Sequence, residues 1–164
     1  MSGKAFVDTN ILIYAHDESD VEKHRRAVEL ITALWTERRG VLSTQVIQEF
    51  AVNLQRRISA TLKMQEVRRR IEYFLDWEIV VNGPSSTLGA LEVQERYQLS
   101  FWDGMIVQAA ESAGCEVLYS EDLSHGQEYG GVLVVNPFLR GISKEKFKLG
   151  CEAIPRGFLT QLRV

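Results

Sequence analysis

Four carboxylates stand where a predicted strand ends, where a predicted helix begins or, for Glu49, inside the helix that follows a predicted strand. They are Asp8, Glu49, Asp103 and Asp122. Asp8 directly follows the apolar run 5–7, and Asp122 lies three residues beyond Tyr119, which ends another apolar run. In a parallel α/β sheet, ligands bind beyond the carboxyl ends of the strands. Acids that are far apart in the sequence can therefore converge at that edge of the sheet.

Four clustered carboxylates have a clear chemical requirement. Their negative charges repel one another and raise their pKa values unless a cation neutralises them. The candidate is a hard divalent ion that prefers oxygen ligands, Mg²⁺ or Mn²⁺. Such an ion lowers the pKa of bound water and shields a negatively charged phosphate, so a Ser, Cys or His nucleophile is not required. The pattern therefore predicts a metal-dependent enzyme that acts on phosphate esters.

The elements that must position these acids alternate between short apolar runs and amphipathic segments. Strands are predicted at 4–8, 41–42, 78–81, 117–120 and 132–135. Helices are predicted at 11–15, 21–38, 64–77, 85–99 and 102–113, with another that Ser43 or Thr44 caps and that extends through Leu54. This alternation favours parallel strands with helices on both faces. We predict an α/β fold, a three-layer α/β/α sandwich with a central parallel sheet.

Apolar spacing also predicts which residues enter the core. Most predicted helices carry apolar residues at i, i+3, i+4 and i+7, the pattern of one buried face. The segment 85–99 has a less regular face, which carries Leu88, Leu91 and Tyr97. The three tryptophans are expected first in the core: Trp35, Trp77 and Trp102. For Trp102, a place beside the site acid Asp103 is the alternative.

Composition limits the class of protein. A chain of 164 residues is most simply one domain, and we assign 1–138 to the domain that carries the four acids and 139–164 to a tail of unknown role. A net charge of −3 argues against an architectural nucleic-acid binder but not against an enzyme with an acidic metal site. Cys115 and Cys151 form no metal-binding spacing, and no apolar stretch approaches the ~20 residues of a membrane helix. We therefore expect a cytoplasmic protein with no membrane association.

Four stretches of the sequence carry a resemblance to a known family. They are FVDTNIL at 6–12, STQVIQEF at 43–50, SFWD at 100–103 and LYSEDL at 118–123. In this order, on an alternating α/β pattern, they resemble the PIN-domain family of ribonucleases, and among its members the VapC-type toxins of toxin–antitoxin systems. The resemblance spans roughly residues 4–138.

The resemblance implies a role for each acid. Asp8, Glu49 and Asp103 would be the three core acids, and Asp122 the fourth. Asp8 and Asp103 would bind the metal directly, whereas Glu49 and Asp122 would bind through water or hold a second ion. One ion or two remains open at this point.

Three further residues would support the acids. Ser120 matches a Thr/Ser position of the family and would hold a metal-bound water or a neighbouring carboxylate. Asn10 matches a polar position that braces Asp8. Glu121 is an additional acid at a position that is often polar in the family.

Each feature also has an ordinary structural interpretation. Taken singly, Asp103 reads as a residue at a helix start, where the helix dipole favours an anion, and Glu49 reads as a surface residue. Arg56 and Arg57 are candidates for holding RNA phosphates, although a solvated helix face is their ordinary interpretation. His125 lies in a Gly-flanked loop, where either substrate contact or a plain surface position is open. The four acids together, rather than any one of them, carry the functional hypothesis.

The function implied by the resemblance is a Mg²⁺- or Mn²⁺-dependent endoribonuclease, the toxin of a toxin–antitoxin pair. Its partners would be the RNA substrate, a cognate antitoxin protein and a second copy in a homodimer. One alternative is a PIN-like nuclease of RNA maturation without an antitoxin. Another is a non-enzymatic Mg²⁺-binding receiver-like module, which needs a late Lys; the absence of Lys between Lys63 and Lys144 argues against it.

Overall fold

The computed structural model describes residues 3–58 and 62–139, with only the backbone of residues 57 and 58. Its strands are β1 (Ala5–Val7), β2 (Gly40–Ser43), β3 (Glu78–Val80), β4 (Val117–Tyr119), β5 (Glu128–Tyr129) and β6 (Val132–Val135). Its helices are α1 (Thr9–Tyr14), α2 (Val21–Glu37), α3 (Thr44–Asn53), α4 (Met64–Phe74), α5 (Pro84–Tyr97) and α6 (Phe101–Ser112). A π-helical turn, Leu54–Ile58, continues α3. Except for Leu139, the assigned tail 139–164 lies outside the described residues.

The strands form a single sheet with the order β3-β2-β1-β4-β6-β5. Every neighbouring pair is parallel except β5 and β6. The predicted three-layer α/β/α sandwich is confirmed, but the sheet is mixed rather than wholly parallel. The antiparallel edge strand β5 was not predicted, because two residues carry no readable alternation. Gly130 and Gly131 form the turn into β6 with φ values of 55° and 87°, which favour glycine.

The order of the strands places a crevice at the carboxyl end of β1. From β1 the chain proceeds to β2 and β3 on one side, whereas β4 and β6 extend the sheet on the other. Such a switch point is where open α/β sheets bind ligands. Val7 is in register with Tyr119, and the Asp8 amide donates a hydrogen bond of 3.0 Å to the Tyr119 carbonyl oxygen. The residues after β1 and β4, Asp8 and Ser120, are therefore neighbours.

The helix following β1 begins earlier than predicted. It starts at Thr9 rather than at residue 11, and Asp8 is its N-cap. The Asp8 carboxylate accepts a hydrogen bond from the Thr9 amide, so the same side chain ends the strand and starts the helix. This tight connection points Asp8 into the crevice.

Two core predictions are wrong. Trp102 is 62% exposed, whereas Trp77 is buried and Trp35 is half-buried. Helix α5 exposes its leucines, Leu88 and Leu91, and buries smaller residues instead: Ser86, Ala90 and Val93. The reason is close packing against α6, where a Cβ on Gly104 would lie only 2.7 Å from the Ala90 carbonyl oxygen. Two helix backbones this close leave no room for leucine side chains between them.

No helix in the described part of the chain combines the length and the apolar character that a membrane span requires.

Candidate active site

Asp8 is the most buried acid of the candidate site. Its side chain is 8% exposed, and each carboxylate oxygen accepts one hydrogen bond of 2.7 Å. The donors are the Thr9 amide and the Ser120 hydroxyl. Burial raises the pKa of Asp8 to about 6; the Ser120 and Thr9 hydrogen bonds oppose this rise, while the charges of Asp122 and Glu49 add to it. Asp8 therefore lies within electrostatic reach of two further acids.

Glu49 is joined to Asp8 through Thr9. The Thr9 hydroxyl donates to Glu49 Oε2 at 2.7 Å, while the amide of the same residue donates to Asp8. The second oxygen, Oε1, accepts a hydrogen bond of 3.0 Å from the Gln45 side-chain amide. Glu49 is half-buried with both oxygens held by neutral donors, which does not match the surface interpretation of this residue.

The turn after β4 brings Asp122 to the same edge. Ser120 is fully buried, and its hydroxyl donates to Asp8 while it accepts from the backbone amides of Asp122 and Leu123 at 3.2 and 3.4 Å. Asn10 donates to Asp122 Oδ2 at 3.0 Å. The expectation that Asn10 braces Asp8 is therefore corrected: its amide holds Asp122. The hydrogen-bonded group thus runs from Gln45 through Glu49, Thr9, Asp8 and Ser120 to Asp122.

Asp103 is held differently from the other three acids. Its amide donates to Ser100 Oγ at 3.1 Å, and its carboxylate accepts from the same hydroxyl at 2.7 Å. This reciprocal contact caps α6, and the helix dipole stabilises the negative charge. The contacts of Asp103 thus match its ordinary interpretation as a helix-start residue. The structure brings Glu49 and Asp122 within electrostatic reach of Asp8. The side-chain hydrogen bond of Asp103 is instead made with Ser100, the N-cap of its own helix.

The donor set fits a hard divalent cation, although the carboxylates do not converge on one point. No three His, Cys, Asp or Glu side chains within residues 3–58 and 62–139 are grouped closely enough to hold a metal ion. Beside the acids, however, the side-chain oxygens Asn10 Oδ1 and Gln45 Oε1 are buried without a hydrogen-bond partner. Carboxylate and amide oxygens are the ligands that Mg²⁺ and Mn²⁺ prefer. By donor chemistry the residues fit the ion that the sequence predicts.

The remaining predicted residues lie around this group. Glu121 points away from it and forms an ion pair with Lys23 of α2. Arg56 is exposed on the π-helical turn, and the side chain of Arg57 lies outside the described part. His125 is exposed, and its Nδ1 accepts a hydrogen bond of 3.2 Å from the Asn136 amide.

Three contributors escaped the sequence interpretation. Thr9 links two acids, Gln45 holds Glu49, and Lys23 holds Glu121. A signal existed for Gln45, since it precedes Glu49 by four residues on one helix and such pairs face each other. Lys23 had no local signal, because its partner lies 98 residues away.

Comparison with known proteins identifies the family to which this chain belongs. A family model described as PIN domain matches residues 5–126. The fold is similar to that of the Mycobacterium tuberculosis protein VapC20, described as a sarcin-ricin loop cleaving toxin. The TM-score is 0.57 with 20% sequence identity, over 73% of this chain and 90% of that one, and this identity supports the fold alone. No curated protein matches the sequence. Because the family model covers well over half of the 164 residues, the chain belongs to the PIN domain family.

Proposed function

We propose that this protein is an endoribonuclease that uses Mg²⁺ or Mn²⁺ to hydrolyse phosphodiester bonds. The observation that carries the proposal is Asp8, a buried carboxyl whose pKa is raised to about 6 at the switch point of a PIN-family sheet. Glu49 and Asp122 lie within its electrostatic reach. Burying a carboxylate beside two others is costly unless a cation compensates the charge.

In this proposal Asp8 and Asp103 hold the metal directly, and Glu49 and Asp122 hold it through water or hold a second ion. When bound, the ion would lower the pKa of water and neutralise charge on the phosphate. The neighbouring side chains orient the acids. Ser120 and the Thr9 amide hold Asp8, and the Thr9 hydroxyl with Gln45 holds Glu49. Asp8 must lose its proton to bind metal, so we expect activity to fall on the acid side of its pKa.

The RNA-contacting residues remain part of the proposal. Arg56, Arg57 and His125 are the candidates for contacts to the RNA backbone. Of these, the described side chains of Arg56 and His125 are exposed and so accessible to a substrate.

We further propose that the protein acts in the cytoplasm as the toxin of a toxin–antitoxin pair and as a homodimer. The proposal of this role ahead of RNA maturation without an antitoxin is supported by the fold similarity to VapC20, whose description names it a toxin. A cognate antitoxin would block the acidic edge. An Arg guanidinium suits that task, because it can bond two carboxylate oxygens at once. Membership of the PIN family removes the support for a receiver-like signalling module.

The test is digestion of total RNA by the purified chain, with added Mg²⁺ or Mn²⁺ and with EDTA. We expect cleavage that depends on metal and that Asp8→Asn reduces by at least about 100-fold. The matched control is Asp76→Asn, a change of the same kind at an exposed acid beyond α4, which should cleave like the unaltered chain.

Mapping the cleaved ends would identify the RNA class. Cleavage that persists in EDTA, or an Asp8→Asn protein that is folded and fully active, would contradict the proposal.

A further inference from the structure

Lys23, in the first turn of α2, contacts the turn that carries two residues of the candidate site. Its ammonium group forms an ion pair with Glu121, which stands between Ser120 and Asp122. The two side chains are only 28% and 25% exposed. A partly buried pair is screened by salt much less than a surface pair. The ion pair should therefore persist at ordinary salt concentrations.

Lys23 is itself held in place by aromatic neighbours. Its Nζ donates to the Tyr14 hydroxyl at 3.0 Å and lies 4.5 Å from the centre of the Tyr14 ring. The centre of the Phe138 ring lies 5.4 Å from the same Nζ. Phe138 follows β6 in the sequence, and its ring packs edge-on against the Tyr14 ring with 5.0 Å between the ring centres. Each such cation–aromatic contact favours the charged ammonium. Lys23 is thus a fixed cation rather than a mobile surface lysine.

The neighbouring residue on α2 reinforces this arrangement. Arg26 donates to the carbonyl oxygens of Pro137 and Leu139 at 3.1 and 2.8 Å. The start of α2 therefore holds both the turn after β4 and the segment after β6. These are the two chain segments that flank the carboxyl edge of the sheet on the β4 side.

The turn presents its side chains in two directions. Ser120 and Asp122 face the acidic edge, where they contact Asp8 and Asn10, and Glu121 between them faces Lys23. Removing the ion pair would release the middle residue of this turn. It would also leave an extra negative charge beside acids that already repel one another.

Building on the proposed function, we propose that Lys23 is a positioning residue for the metal site. Through its ion pair it holds Glu121, and with it the placement of Asp122. The same pair cancels the charge of Glu121, so that this acid does not add to the field of Asp8, Glu49 and Asp122. Lys23 thereby sets both the geometry of one acid and the affinity of the site for a cation.

A double-mutant cycle of Lys23 and Glu121 in the full-length chain tests this inference. The main measurement is the Kd for Mn²⁺, determined by calorimetric titration without RNA. We expect Lys23→Met to lower the Kd for Mn²⁺ about threefold to tenfold, since it removes a positive charge near the site. Glu121→Gln should raise the Kd by a similar factor, since it removes a negative charge. The double variant should return close to the unaltered chain.

The rate of RNA cleavage separates positioning from charge. At saturating Mn²⁺, Lys23→Met should lower kcat by roughly tenfold, because Asp122 loses its placement. The double variant restores the charge balance but not the ion pair, so its kcat should stay low while its Kd recovers. Lys23→Arg keeps the cation and should resemble the unaltered chain in both. The matched control is Lys4→Met, which breaks the ion pair with Glu78 at the opposite end of the sheet and should change neither value.

The outcomes distinguish this inference from the proposed function. If the unaltered chain binds Mn²⁺ in a manner that Asp8→Asn abolishes, but both single variants shift Kd in the same direction or not at all, the charge role of Lys23 is overturned. An unchanged kcat in Lys23→Met overturns its positioning role. If Lys23→Met does not fold, an unchanged Kd in Glu121→Gln is decisive against the charge role. A chain that binds no Mn²⁺ at Asp8 contradicts the proposed function itself.

Discussion

At the scale of single residues, burial separates Asp8 from the other three acids. Glu49 and Asp103 are half-buried and Asp122 is exposed, so water can solvate part of their charge. Asp8 is almost fully covered, and burial raises its pKa from the ordinary 3.8 to about 6. A folded-state pKa above the unfolded value means that the folded protein binds the proton more tightly. Above pH 6 the ionised Asp8 therefore destabilises the metal-free fold.

This residue yields a prediction about stability. Asp8→Asn removes the buried charge and keeps the shape, so without metal at pH 7.5 it should raise the free energy of unfolding by about 3 kcal/mol. Urea unfolding in EDTA measures this difference. Added Mn²⁺ should then raise the melting temperature of the unaltered chain and not that of Asp8→Asn. Asp76→Asn, an exposed control, should respond to Mn²⁺ like the unaltered chain. A variant that is less stable in EDTA, or equally responsive to metal, would contradict the buried-charge account.

At the scale of elements, three helices meet around a buried histidine behind the site. His16 follows α1 and lies 5.1 Å from the Phe50 ring of α3 and 6.1 Å from the Phe74 ring of α4. Its Nδ1 is 2.8 Å from the Leu12 carbonyl oxygen, a geometry in which the neutral ring donates. Burial lowers its pKa to about 4; the Leu12 hydrogen bond opposes this, and the charges of Arg70 and His24 add to it. The packing of these helices therefore requires the uncharged imidazole.

The histidine predicts a dependence of stability on pH. The unfolded chain binds a proton near pH 6.5 and the folded chain only near pH 4, so stability falls as the pH is lowered through this window. The total loss should be about 3 kcal/mol. Asp8 acts in the opposite sense between pH 3.8 and 6, so the measurement belongs in the Asp8→Asn background.

Urea unfolding at several pH values, with and without His16→Leu, isolates the contribution of the ring. His16→Leu should flatten the fall in stability between pH 6.5 and 4. If the slope is the same in both proteins, the helix interface does not depend on the neutral imidazole.

At the scale of the whole molecule, two opposite edges of the sheet differ in character. The carboxyl edge carries the acids, and the amino edge has a cavity of about 400 Å³ beside Trp35 and Trp77. A net charge of −3 gives RNA no general attraction, so a metal-neutralised acidic edge and local basic residues would have to attract it. The proposed activity thus depends on the local charges at the carboxyl edge of the sheet and not on the net charge of the protein.

Toxicity is the first prediction for the whole protein. Expression of the chain alone should slow the growth of a bacterial host through RNA cleavage. Asp103→Asn at equal protein level should relieve this effect, because the amide cannot supply a charged ligand while the cap with Ser100 can persist. Growth curves and RNA profiles measure the result, with Asp76→Asn as control. A folded Asp103→Asn protein that remains toxic would remove Asp103 from the proposed site and leave it as a helix cap.

Inhibition by a partner is the second prediction at this scale. An antitoxin that inserts an Arg among the acids should suppress cleavage, while its apolar contacts supply most of the affinity. Replacing that Arg by Ala should leave the complex measurable and restore nuclease activity. Co-purification followed by RNA digestion tests this. A bound complex that cleaves RNA as fast as the free chain would favour the RNA-maturation alternative.

The sequence by itself determined the sandwich, because apolar periodicity is a local signal, and it nominated Asp8, Glu49, Asp103 and Asp122 as candidate site acids. It could not determine which partner each polar group finds, since hydrogen bonds form between elements whose neighbours depend on strand order. Only the tertiary structure joined Asp8 to Ser120, 112 residues away, turned Glu121 toward Lys23 and left Asp103 on its own cap. The same holds for packing: the leucines of α5 are exposed because close contact between α5 and α6 selects small residues, which apolar spacing does not reveal.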